Sequence, residues 1–144
     1  MGSRVTYTVL IGAGALPFAF AAILALAGID SIPFVGEPDR LIASYGLGIV
    51  SFLTGTHWAT TLYESERSPL DLFAISNVLF LAVWITFLVG DTASSAVVQS
   101  CAFMILLLID YRLLTVRVIE QHYFRMRAAA TLVAVLSLLS FLAV

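Results

Sequence analysis

Long uncharged runs, rich in apolar residues, alternate with short polar breaks along nearly the whole chain. The runs cover residues 5–29, 41–63, 72–90, 92–109 and 128–144. Each approaches the roughly 20 apolar residues with which an α-helix crosses the hydrocarbon core of a bilayer. The pattern predicts an all-α, polytopic membrane bundle of five transmembrane helices. The spans are placed at 6–28, 41–62, 72–90, 94–111 and 127–144, in a single transmembrane helical domain. The first run is too long for the apolar core of a signal peptide, and no small-residue cleavage site closes it. It is read as a retained span.

Polar and small residues inside the runs refine this picture. In the first run, Gly12 and Gly14 allow close helix approach. Pro17 has no N–H to give to the Ala13 carbonyl, so a kink is expected there. In the second run, Ser44, Gly48, Ser51 and Gly55 recur at spacings of four, three and four, which sets them on one helical face. Small residues at that period let helices pack backbone to backbone. Tight packing inside the bundle is the expectation, and a dimer face is the alternative. Ser68 or Asp71 is expected to cap the third helix after Pro69. Asn77 is expected to face a neighbouring helix, and Trp84 to pack. The stretch 113–125 mixes apolar residues with Arg117, Glu120, His122 and Arg125. It reads either as a helix lying among the headgroups or as a continuation of the fourth span. The outer loop 30–40 reads as a structured turn whose Ile32, Pro33, Phe34 and Val35 dip into the interface.

Composition agrees with a lipid solvent. Charged residues make up 11% of the chain and hydrophobic residues 61%, against about 25% charged in soluble domains. The formal charge of −2 gives no reason to expect a nucleic-acid partner. The single Cys101 cannot form an internal disulfide and is expected to be a buried thiol. All seven basic residues are arginines, and their distribution sets an orientation. With five spans, Arg4, Arg67, Arg112, Arg117, Arg125 and Arg127 share one side, and only Arg40 lies on the other. The positive-inside rule then places the N-terminus in the cytoplasm and the C-terminus outside. The expected location is a bacterial inner membrane, or a mitochondrial inner membrane with the N-terminus in the matrix.

Few residues are candidates for chemistry. His57 lies about a turn and a half from the cytoplasmic end of the second span. An ionisable residue at such depth is a functional hypothesis by default. Asp110 lies at a similar depth on the fourth span, and Arg112, Arg125 and Arg127 are its possible partners. A helix-tying salt bridge and a proton relay through His57 and Asp110 are both compatible with this placement. Trp58 is expected to point elsewhere and anchor at the interface. No catalytic signature such as GxSxG, HExxH, a Walker A loop or CxxC occurs. The spacing of His57 and His122 supports no metal or haem site, and no cofactor is expected.

Three segments together resemble a small uncharacterised integral-membrane family that includes mitochondrial transmembrane protein 69 and many bacterial proteins. Ile11-Gly12-Ala13-Gly14-Ala15-Leu16-Pro17-Phe18 is similar to the family's glycine-rich opening ending in Pro-Phe. Ser51-Phe52-Leu53-Thr54-Gly55-Thr56-His57-Trp58 is similar to its central segment ending in His-Trp. Tyr123-Phe124-Arg125-Met126-Arg127, followed by Thr131, is similar to the start of its last helix. The resemblance implies a five-helix membrane fold and singles out His57, Trp58, Asp110 and Arg127. It implies no activity.

The expectation for function is a non-enzymatic accessory, assembly or lipid-organising protein. Its partners would be membrane lipids and either a larger inner-membrane complex or further copies of itself. One alternative is an oligomeric transport or proton-relay module using His57 and Asp110. Another is a site for quinone or a similar hydrophobic ligand, walled by His57, Trp58 and Tyr111.

Overall fold

Five α-helices form in the computed structural model, which describes residues 2–64 and 71–143. They are α1 Gly2–Leu26, α2 Pro38–Tyr63, α3 Leu72–Val89, α4 Thr92–Thr115 and α5 Gln121–Ser140. Arg67, Ser68, Pro69 and Val144 lie outside the described residues. Among the described residues there is no strand, only one isolated bridge between Ile32 and Gly36.

α1 packs against α5 and α2, α3 packs against α2 and α4, and α4 packs against α5. α2 touches all four other helices. Their alternating direction gathers Arg4, Tyr63, Asp71 and the turn 116–120 at one end. The loop 27–37, Gly90 and Asp91 gather at the other. A contact joins different helices or their turns at each end. Arg4 meets Glu120 at 3.1 Å, and the Thr92 hydroxyl donates to Asp39 at 2.8 Å.

Phe18, Val50, Leu72, Phe103, Leu106 and Leu138 form the centre of the core. The outward faces are just as apolar. Leu16, Ile23, Leu88, Leu108, Leu132 and Leu136 are all exposed, a surface that water would not tolerate. Four helices, α1, α3, α4 and α5, are long and apolar enough to cross a membrane. α2 is not among them; it is rich in serine, threonine and glycine. It hides that polarity locally. Ser44 donates to Leu41 O, Ser51 to Leu47 O, Thr54 to Ser51 O, Thr56 to Leu53 O, Thr60 to Thr56 O and Thr61 to His57 O. Each hydroxyl is satisfied one turn back on its own helix, so the helix needs no water.

Caps define the ends. Asp71 accepts from Ala74 N at the start of α3, and Asp91 accepts from Ser94 N at the start of α4. Gly28, at φ 71°, ends α1 with Gly28 N donating to Ala25 O and Ile29 N to Leu24 O, a left-handed Schellman cap. The same motif ends α4 around Arg117, at φ 60°, with Val118 N donating to Leu113 O.

That cap corrects the reading of 113–125. α4 runs on to Thr115, a five-residue turn over 116–120 follows, and α5 begins at Gln121. No separate interfacial helix forms, because Val118 and Ile119 fold back onto the core. α1 is one helix with Pro17 inside it. Other expectations change. Asn77 points outward and returns its amide to Phe73 O. Trp84 and Cys101 are exposed on the outer surface. The stripe Ser44–Gly48–Ser51–Gly55 does not pack inside the bundle: a Cβ placed on Gly48 or Gly55 would find no atom within 4 Å. Close approach occurs instead at Gly46, where Gln99 of α4 lies over the bare backbone and donates to Ala43 O at 2.8 Å.

Candidate functional site

His57 sits six residues before the end of α2, Asp110 five before the end of α4, and Arg127 six after the start of α5. At 1.5 Å of rise per residue, all three lie about 7–9 Å in from the same end of the bundle. The antiparallel packing of α2, α4 and α5 turns this shared depth into contact. His57 Nε2 donates to Asp110 Oδ1 at 3.0 Å, and Arg127 Nε donates to Asp110 Oδ2 at 3.1 Å. Only 3–6% of each residue is exposed. Both oxygens of one carboxylate are thus held by two different helices. The cluster joins α2 to α5, which otherwise barely touch. Burying a carboxylate is costly unless it is paired and hydrogen-bonded, and Asp110 meets both conditions.

The other candidates stand apart from this cluster. Arg112 and Arg125 are exposed. Trp58 stacks edge-on against Phe73 at 4.9 Å, and Tyr111 lies against Phe124 at 5.9 Å. His57, Trp58 and Tyr111 thus contact different neighbours, Asp110, Phe73 and Phe124. Consecutive helical positions point about 100° apart, so His57 turns inward while Trp58 faces out. His122 is also remote from His57. The Thr8 hydroxyl already donates to Arg4 O, so it accepts from His122 Nε2, at 3.1 Å. Among the described residues, no three His, Cys, Asp or Glu side chains gather as a metal site.

A cavity of about 420 Å³ adjoins the ionic cluster on the side of Arg127. Its walls are α1, from Tyr7 to Phe18, α5, from Tyr123 to Ala134, and parts of α2 and α4. α1 presents Tyr7, Leu10, Ile11, Gly14, Ala15 and Phe18, a single face at intervals of three and four. α5 presents Arg127, Ala130, Thr131 and Ala134 at the same intervals. Small residues on both faces leave the hollow. At the far end α1 and α2 close on each other, with Tyr45 donating to Gly14 O at 2.9 Å and stacking on Phe18.

Three polar atoms on residues that line the cavity are closed off from it and have no partner: Arg127 Nη2, Thr131 Oγ1 and the Tyr7 hydroxyl. Leaving such a group buried and unmatched costs about 1–3 kcal/mol. Neither Tyr7 nor the cavity was foreseen from the sequence. The spacing of Tyr7, Gly14 and Phe18 carried the signal, but it is the same spacing that ordinary helix packing produces.

No curated protein and no solved structure matches the chain. A family model does match, over residues 4–143, and its description is "Protein of unknown function (DUF3429)". Its span takes in all three members of the buried cluster and every wall of the cavity, and the chain belongs to that family.

Proposed function

We propose that this chain is a non-enzymatic accessory protein of an inner membrane, built to receive a transmembrane helix from another copy of itself or from a larger complex. One observation carries the reading, the outward groove along α2 and α3. Gly55 lies open in it, and Gly48 lies open two turns away on the same face of α2. Ser51, Thr54, Trp58, Ser76 and Phe80 line a hollow of about 310 Å³ beside them. Helices in lipid associate by close van der Waals packing over small residues and by occasional hydrogen bonds between them. The groove offers the first, and its wall holds the Ser76 hydroxyl, buried without a partner.

The ionic cluster supports a structural role over a proton relay, because both oxygens of Asp110 are already held by protein donors. In this reading α2 is the fifth crossing. Its 26 residues give about 39 Å of helix, enough for the roughly 30 Å hydrocarbon core. The arginine-rich end faces the cytoplasm or matrix. The similarity to the family that includes mitochondrial transmembrane protein 69 fits the same setting.

Affinity purification in mild detergent tests the proposal, comparing the wild type with the Gly48→Leu/Gly55→Leu variant. A Cβ at either position meets no atom within 4 Å, and leucine is the better helix former, so the melting temperature does not fall. Association with the co-purifying partner, or with a second copy, falls about tenfold or more, equivalent to at least ~1.4 kcal/mol. Undiminished association in the variant would refute the groove as the interface.

A further inference from the structure

The cavity between α1, α2 and α5 is separate from that groove, and its shape and polarity specify a ligand. Its wall on α1 runs from Tyr7 to Phe18, about 16 Å at 1.5 Å per residue. That is close to half of the roughly 30 Å hydrocarbon core, the depth of one leaflet. Polar groups occur mainly toward one end. Tyr7, Tyr123 and Arg127 stand at the arginine-rich end of the bundle, and Thr131 lies one turn deeper on the Arg127 face. The deep end is Phe18, Phe103 and Ala134. Leu10 and Phe52, exposed at 65% and 68%, flank the opening, so the cavity faces sideways into the bilayer.

The unpartnered atoms give the chemistry of the head. Arg127 is 6% exposed and Thr131 2%. Arg127 Nε is committed to Asp110 while Nη2 has no acceptor. Thr131 and Tyr7 add hydroxyls that also lack partners. These groups are donors in want of an acceptor oxygen, and the protein supplies none. A linear molecule fits this arrangement, with an oxygen acceptor at headgroup depth and a saturated tail toward the midplane. A compact ring would leave the deep half of the hollow empty.

We propose that the cavity binds one acyl chain by its carbonyl oxygen, with Arg127, Thr131 and Tyr7 as the donors. The carbonyl belongs either to a free fatty acid or to the ester of a membrane lipid. The donor atoms are closed off in the empty cavity, so their side chains turn toward the carbonyl as it binds; the chain runs down past Gly14 and Ala15, and entry is lateral from the leaflet.

The test uses the full-length protein in mild detergent. Native mass spectrometry reads any retained lipid, and its mass tells a fatty acid from a phospholipid; one acyl-bearing species per chain is expected. After delipidation, melting temperature is followed with palmitic acid, methyl palmitate, hexadecane and decylubiquinone. At least one of the two carbonyl compounds raises it, palmitic acid alone if the acid is the natural form and methyl palmitate if the ester is. Hexadecane and decylubiquinone do not. Tyr7→Phe/Thr131→Val removes two oxygens and almost no volume, and weakens binding about tenfold. Ala15→Phe fills the hollow and abolishes binding and retention. The proposal is overturned if hexadecane or decylubiquinone serves as well as the carbonyl compounds. It is overturned equally if the Ala15→Phe protein keeps its lipid, or if no lipid is retained and no compound shifts the melting temperature.

Discussion

Asp110 shows how much one side chain can settle in a chain with so few charges. It accepts from His57 on α2 and Arg127 on α5, so one carboxylate sets the register of three helices. Removing one member of a buried ion pair is worse than removing both, because the survivor is left charged and unmatched. Asp110→Leu is therefore expected to destabilise by about 3–5 kcal/mol, and Asp110→Leu/Arg127→Leu by clearly less than the two single changes added together. Unfolding in detergent measures the cycle, and strict additivity would show that the two groups do not depend on each other. Gly46 makes a quieter point. Nothing in its sequence context separates it from Gly48, two positions on, yet Gln99 covers Gly46 while Gly48 is open.

Among the elements, α2 is the instructive one. By composition it is the least convincing span, and it is nonetheless the helix that touches all the others. Its hydroxyls bond to its own backbone, so a segment rich in serine and threonine keeps an apolar exterior. The helix starts follow a simpler rule. Asp91 caps α4 through Ser94, and hydrogen bonds from the Ser94 side chain and backbone hold its carboxyl below the ordinary value of 3.8. A carboxylate with a depressed native pKa contributes stability above its unfolded pKa and loses it as pH falls through the native one. Asp91→Ala is thus expected to lower the melting temperature at neutral pH. The deficit shrinks once the pH drops below 3.8. A deficit that stays constant through that range would assign the effect to something other than the charged cap.

Across the bundle, function-related features divide between two faces. The buried cluster and the polar end of the cavity lie toward the arginine-rich end, between α1, α2, α4 and α5. The open groove lies on the far side of α2, against α3. The orientation we propose for this body has a direct test. In a Cys101→Ser background, a cysteine at Ser31 is expected to react with a membrane-impermeant maleimide in intact cells. A cysteine at Thr115 is expected to react only after permeabilisation. The reverse pattern would invert the orientation.

Hydropathy alone was enough to establish the all-helical membrane class and the helices, since lipid demands long apolar segments whose backbone bonds are closed internally. The shared depth of His57 and Asp110 was also readable, because rise along a helix is fixed. Contact between them was not, and depth alone left Arg112, Arg125 and Arg127 as equal partners for Asp110; only the family resemblance singled out Arg127. Rotation of each helix about its axis is set by packing with its neighbours, and a chain apolar on nearly every face carries little periodic signal to fix it. For the same reason the small-residue stripe of α2 could be seen as a stripe but not as an outward one. The cavity was hidden altogether, for a hollow exists only where several small side chains from different helices fail to fill the same space.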